Sequence, residues 1–251
     1  MCMLLELCIL ETQIEGTRAE NMAGSLGFNK SFAVSNSGRS GGLGVFWNEE
    51  MKLDIVGYSQ YHIDAVIDDL ADVKIRVTFV YGEAQVNARY NTWDMLRGIV
   101  GASDIPWLVL GDFNEVLRPE EHEGVGERSN AQIQAFRDVV DGCMLIDIGF
   151  KGRFWTFEKK VAGGSYTRVR LDRALGSAER CALLPNASLT HLEAATSDHC
   201  PIHLELNREQ TTPRTAPKIF RYEVAWETHN SLKDTIRESW SSSQPGVQVD
   251  D

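Results

Sequence analysis

Short apolar and alternating runs, separated by turn-forming residues, fill most of the chain from Leu4 to Leu206 and restrict it to a fold rich in strands. Leu4–Leu10 is an apolar segment closed by Glu11. Ser31–Val34 and Leu43–Trp47 flank the turn-rich stretch Ser35–Gly42. Leu53–Tyr58, Ile63–Ile67 and Ile75–Tyr81 follow at strand-like spacing, with turn-prone Asp68–Asp72 between the last two. Strands this close in sequence favour antiparallel pairing. Further strands are expected at Pro106–Leu110, Met144–Ile148, Val169–Leu175 and Ile202–Leu206. Apolar residues at three and four predict two helices. Val86–Val100 places Tyr90, Trp93, Leu96 and Val100 on one face. Ser129–Gly142 is N-capped by Ser129 and buries Ile133, Phe136, Val139 and Val140.

The 251 residues are 43% apolar and 24% charged, which excludes a disordered or collagenous chain. Apolar runs fall far short of the ~20 residues a membrane span needs, so no membrane partner is expected. No basic region precedes the N-terminal apolar stretch, so it does not read as a signal peptide. The five cysteines contain no C-x-x-C pair, and a reducing, intracellular setting is expected. With 25 Lys and Arg against 36 Asp and Glu, the net charge is −11. That balance argues against a simple nucleic-acid coat protein. It leaves room for an enzyme that meets phosphates through a metal, because carboxylates are what hold divalent cations.

Three regions are expected. Residues 1–207 form the principal domain, and 208–217, with two prolines and three threonines, form a linker. Residues 218–251 form an amphipathic helical tail in which Tyr222, Trp226, His229, Leu232, Ile236 and Trp240 recur at three or four.

Five short segments could carry chemistry. Leu108–Leu110 leads into Gly111-Asp112-Phe113-Asn114, so an apolar strand delivers a carboxylate and a carboxamide two residues apart. On an extended backbone these share a face and suit a general base beside an orienting amide. An Asx-turn ending the strand is the alternative. Ser197-Asp198-His199-Cys200-Pro201 sets an acid beside an imidazole, as a metal ligand and phosphate contact or as a cap and a surface histidine. Pro201 disfavours a helical zinc pair of His199 with His203. Arg170-Leu171-Asp172-Arg173 alternates, putting Arg170 and Asp172 on one side. There Asp172 could orient an imidazole or join a surface salt bridge. Glu11 closes a buried run as a metal ligand or a loop start. Tyr81-Gly82 ends another.

Taken in order, these segments resemble the endonuclease/exonuclease/phosphatase superfamily, which includes the pancreatic-type deoxyribonucleases and apurinic endonucleases. Leu108–Leu117, Gly152–Thr156, Arg170–Leu175 and Ser197–Pro201 resemble more closely the endonuclease domain of plant LINE-type (non-LTR) retrotransposons, as does Phe220-Arg221-Tyr222 with Trp226. The resemblance implies an α/β (α+β) four-layer sandwich: two mixed β-sheets packed face to face, with helices on both outer faces. It implies that Glu11 and Asp198 serve a Mg²⁺ site, with Mn²⁺ as a substitute. Tyr81 faces the phosphate, Asp112 positions or deprotonates the attacking water, and Asn114 binds phosphate oxygens. His199 contacts the scissile phosphate, oriented by Asp172. The implied reaction is hydrolysis of a DNA phosphodiester to a 3′-hydroxyl and a 5′-phosphate. The implied partners are DNA, in the nucleus, and a reverse transcriptase domain of the parent polyprotein.

Two departures from the family stand out. Its first strand, with an Asn in a Trp-Asn pair upstream of the Glu, has no counterpart before Glu11, so an N-terminally truncated domain is expected. Val169 stands where abasic-site enzymes carry an aromatic residue. Two further readings therefore stay open: an inactive relic of the domain, and a phosphatase acting on small phosphoesters.

Overall fold

Residues 6–36, 41–68, 74–126, 128–160, 166–194 and 197–206 are described by the computed structural model. In chain order they begin with β1 (Glu6–Leu10), α1 (Gly16–Glu20), α2 (Ala23–Leu26), β2 (Lys30–Val34) and β3 (Leu43–Trp47). Then come β4 (Leu53–Ser59), β5 (His62–Ile67), β6 (Ile75–Tyr81), α3 (Tyr90–Ile99) and β7 (Trp107–Asp112). β8 (His122–Glu123), α4 (Asn130–Gly142), β9 (Leu145–Asp147), β10 (Lys151–Gly152), β11 (Phe157–Lys160) and β12 (Tyr166–Val169) follow. β13 (Asp172–Ser177), α5 (Ala178–Leu183), β14 (Ser188–His191) and β15 (Ile202–Glu205) complete the set.

The chain divides into two units, residues 1–208 and 209–251. The expected linker and helical tail lie outside the described residues.

The largest sheet has six strands in the order β4-β5-β6-β7-β13-β9. It is mixed: β4, β5 and β6 form an antiparallel meander, and β6 and β7 run parallel. Every residue of β6 is buried, the signature of a strand covered on both faces. One face packs on α3 and α4, where Trp93, Leu96, Phe136 and Val139 meet Val80, Trp107, Val109 and Leu175. Trp93 stacks on Phe136 with ring centroids 4.7 Å apart. The other face meets side chains from β3, β14 and β15, including Leu43, Val45, Leu189, Ile202 and Leu204. Beyond β3, Phe46 packs on Ala23 of α2 and on Phe28, forming the outer layer on that side.

The order of layers is thus helices, six-stranded sheet, second sheet layer, helices, as expected for an α/β sandwich. The second layer differs from expectation in one respect. It consists of two three-stranded sheets, β1-β3-β2 and β10-β14-β15, and no hydrogen-bonded ladder among the described residues joins them. A small additional sheet, β11-β12-β8, stands beside the functional residues.

The expected helix from Val86 is divided. Val86–Ala88 is a 3₁₀ turn, and α3 begins at Tyr90. Tyr90 is 59% exposed rather than buried, because the α-helical register starts only there. α4 matches its reading: Ser129 accepts from Gln132 N, and the Gln132 side chain returns a bond to Ser129 N. The single run expected at Val169–Leu175 is broken at Arg170-Leu171 into β12 and β13.

Candidate active site

Three functional side chains arise from one register row of the six-stranded sheet. Tyr81 of β6 is level with Asp112 of β7, and Asp112 is level with Asp172 of β13. Residues level on neighbouring strands present their side chains to the same face, so ladder geometry alone brings these groups together. All three are buried. Gly111 makes the row close at this end. It has φ 138°, and a Cβ there would stand 2.1 Å from the Val80 carbonyl oxygen.

Asn114 joins Asp112 by a different route from strand alternation. β7 ends at Asp112, and Asn114 has φ 54°. Its backbone N–H donates to Asp112 Oδ1 at 2.7 Å, so the Asx-turn and the shared site are one structure. The Asn114 Nδ2 donates to Gly82 O at 2.8 Å and to Asp112 Oδ2 at 3.2 Å. Both amide hydrogens thereby brace Asp112 and the Tyr81-Gly82 turn.

His199 is brought in by a clamp on the β11 strand. Glu158 N donates to Asp198 O at 2.8 Å, Cys200 N donates to Thr156 O at 2.7 Å, and Phe157 bridges to His199. The His199 Nδ1 lies 2.9 Å from Asp172 Oδ2, and its Nε2 lies 3.9 Å from Asp112 Oδ2. Burial pulls the imidazole pKa down, but the hydrogen bond and charge of Asp172, with Asp112 and Asp198, outweigh it and raise it to about 9. Asp112 is held above the ordinary carboxylate range, first by burial and then by the charge of Asp172, against the opposing pull of His199. Tyr81 is likewise raised, first by burial and then by the nearby charge of Glu11. The phenol therefore stays protonated and able to donate.

Glu11 follows directly on β1 at φ 53° and is exposed. Thr12 N and Gln13 N donate to Gly42 O and Gly41 O at 3.1 Å, which fixes the turn below it. Glu11, Tyr81, Asp112, Asp172, Asp198 and His199 all line one cavity of about 740 Å³. Asn114 does not line this cavity; it reaches the site only through its bonds to Asp112 and Gly82. Among the described residues, no group of three or more His, Cys, Asp and Glu side chains is gathered tightly enough to form a metal centre. The donor set is nevertheless suited to a hard cation. Asp112 lies in the fields of two further carboxylates, Asp172 and Glu11, which His199 opposes.

Arg170 and Asp172 do not share a side, contrary to the alternation. The break between β12 and β13 turns Leu171 N and Asp172 N together onto Thr156 Oγ1, each at 2.9 Å. Arg170 then faces away from His199, to Glu121 at 2.8 Å and Asp147 at 2.9 Å. Arg173 joins the same pair, 2.9 Å from Glu121 and 3.0 Å from Asp147. Burial pushes Glu121 up, but Arg173 and Arg170 outweigh it and hold its carboxyl below the usual range. The sequence alone does not single out Thr156 or Glu121, because nothing local marks a threonine as the acceptor for two distant amides.

Residues 7–199 match the Endonuclease/Exonuclease/phosphatase family, and the chain belongs to that family. Solved structures share the fold. An AP endonuclease from Archaeoglobus fulgidus superposes with a TM-score of 0.62 at 17% identity, over 80% of this chain and 88% of its own. A 3′-5′ exonuclease (NExo) from Neisseria meningitidis gives 0.59 at 18% identity, over 80% and 89%. The endonuclease domain of TRAS1, a telomere-specific non-LTR retrotransposon, gives 0.56 at 13% identity, over 80% and 95%. No curated protein matches the chain.

Proposed function

We propose that this chain is a metal-assisted phosphodiester hydrolase that nicks DNA and leaves a 3′-hydroxyl. The observation that carries the reading is the His199 imidazole, held between Asp172 at 2.9 Å and Asp112 at 3.9 Å in the cavity that also receives Glu11 and Tyr81.

Each residue has a part its surroundings allow. His199, protonated through its partnership with Asp172, uses Nε2 to donate to a non-bridging phosphate oxygen as charge builds there. Asp112, raised toward neutrality, takes the proton of the attacking water. Asn114 holds the Asp112 carboxylate in place; to bind a phosphate oxygen it must release one of its two amide bonds. Tyr81 donates from its phenol beside Glu11. Glu11, with Asp198 on the same cavity wall, would hold Mg²⁺, which would supply charge neutralisation of the phosphate. Val169 is buried with Val116, Ile133 and Leu171, so it gives no aromatic wall for an abasic site.

The motifs of residues 108–117 and 197–201 support a retroelement origin, in which the released 3′-hydroxyl primes a reverse transcriptase in the nucleus. The test is nicking of supercoiled plasmid with Mg²⁺, with Mn²⁺ and with EDTA, beside the His199→Ala variant. Extension of the nicks by a DNA polymerase reports the 3′-hydroxyl. Metal-dependent nicking that disappears in the variant supports the reading. A folded chain that never nicks, yet releases phosphate from small phosphoesters, replaces it with the phosphatase reading. A folded chain that does neither leaves the relic reading.

A further inference from the structure

Of the imidazole and its two acids, the ring that must be aimed is also the least enclosed. The His199 side chain is 27% exposed, against 8% for Asp172 and 5% for Asp112. One hydrogen bond, between Nδ1 and Asp172, fixes one edge of the ring. A ring held at one atom still turns about that bond, and its far nitrogen, Nε2, swings with it. Fixing the plane takes a second contact.

Phe157, the first residue of β11, stands where that contact is needed. Its ring centroid lies 5.0 Å from the imidazole centroid, with the two planes inclined at 61°. Strand geometry puts it there. Phe157 and His199 form an antiparallel bridge. The bonds on either side of them run from Glu158 N to Asp198 O and from Cys200 N to Thr156 O, so the two residues are a non-hydrogen-bonded pair. In such pairs the backbones approach to about 4.5 Å and the side chains stand closest, on one face. Two aromatic rings tilted at this distance attract each other, and the attraction depends on their mutual angle.

Phe157 is itself backed by a buried apolar cluster of Val116, Ile133, Val169 and Leu171. Leu171 directly precedes Asp172, and Val116 lies two residues after Asn114. One ring thus ties the packed residues beside the catalytic row to the exposed imidazole. The backbone clamp on His199 runs through the amides and carbonyls of residues 156, 158, 198 and 200. It uses no atom of the Phe157 side chain, so the ring can be removed while the clamp stays.

We propose that Phe157 is a positioning residue, whose ring fixes the plane of the His199 imidazole and so keeps Nε2 aimed where a phosphate oxygen is to be met. It acts through His199. Its effect on turnover rests on the hydrolase reading, whereas its effect on the imidazole does not.

The test compares Phe157→Leu, which keeps an apolar side chain and loses the ring, with Phe157→Tyr, which keeps the ring. Ile133→Ala damages the same apolar cluster from α4 and serves as the structural control. In the metal-free protein at fixed pH, the His199 Nδ1–H proton is followed by NMR, assigned by its loss in His199→Ala. Its exchange with water should quicken on the order of tenfold in Phe157→Leu, the factor expected from one lost ring contact. It should stay within about twofold of wild type in Phe157→Tyr and in Ile133→Ala. Nicking by Phe157→Leu should lose about 10- to 100-fold in kcat with KM nearly unchanged, and Phe157→Tyr should restore it. If Phe157→Leu does not fold, Phe157→Met takes its place in every comparison. Unchanged exchange in the ringless variant would overturn the proposal, and so would an equal quickening in Ile133→Ala. A wild-type chain that never nicks would sink the hydrolase reading and leave the exchange comparison to decide this one.

Discussion

The imidazole of His199 is hydrogen-bonded through Nδ1 to Asp172, while Asp112 stands 3.9 Å from Nε2, so one ring lies between two acids that are level across adjacent strands. Placement of this kind makes the protonation state of the ring a property of the sheet. In the metal-free protein, the His199 ring should titrate with a midpoint of about 9, read by its Cε1–H chemical shift. Asp172→Asn should bring the midpoint down toward the ordinary value near 6.5.

The same shift sets a pH dependence of stability. A histidine whose pKa is raised on folding contributes fully below its unfolded value, and the contribution is lost as pH rises through the folded value. Wild type should therefore exceed His199→Ala in stability by up to about 3 kcal/mol at pH 6, and the gap should close by pH 10. Urea denaturation across that range checks both the sign and the window.

Thr156→Val should destabilise the chain by about 2–4 kcal/mol, because its hydroxyl accepts from Leu171 N and Asp172 N and both amides are buried. Thr156→Ser keeps the acceptor and should lose much less. If the role extends to Asp172, the valine variant will also show a lowered His199 midpoint, which a purely structural defect would leave alone.

Glu121→Ala should cost about 3–5 kcal/mol, since it leaves the buried Arg170 and Arg173 with only Asp147 to answer them. Lys30→Ala, which removes an exposed pair with Glu49, should change stability by less than about 0.5 kcal/mol. Equilibrium unfolding of the two variants compares a buried with a solvated ion pair in one protein.

Asp112→Asn should abolish nicking and flatten the pH profile of stability. Burial and Asp172 oppose ionisation of Asp112, so wild type loses stability as pH rises above the ordinary carboxylate range. The asparagine variant has no such charge to create. Its stability between pH 5 and pH 8, without metal, should fall less than that of wild type.

Much of this was legible from residue order. β3 and β6 begin and end where their apolar runs do, and Ser129 announces α4. The catalytic candidates were legible because short motifs carry chemistry at fixed spacing. The register row Tyr81–Asp112–Asp172 was not, because strand pairing is decided by contacts far apart in sequence. Arg170 misled for a related reason: alternation predicts a side only while the strand continues, and Thr156 breaks it from fifteen residues away. The short strands β8 and β10, of two residues each, hold too little pattern to be seen.

The opposition between burial and charge at Asp112 also bears on how a sequence like this ages. Where chemistry is no longer demanded, replacing that acid with a neutral residue relieves an electrostatic penalty, whereas losing Glu121 dismantles an ion network the fold relies on. A neutral residue at position 112 should therefore be easier for the fold to accept than one at position 121.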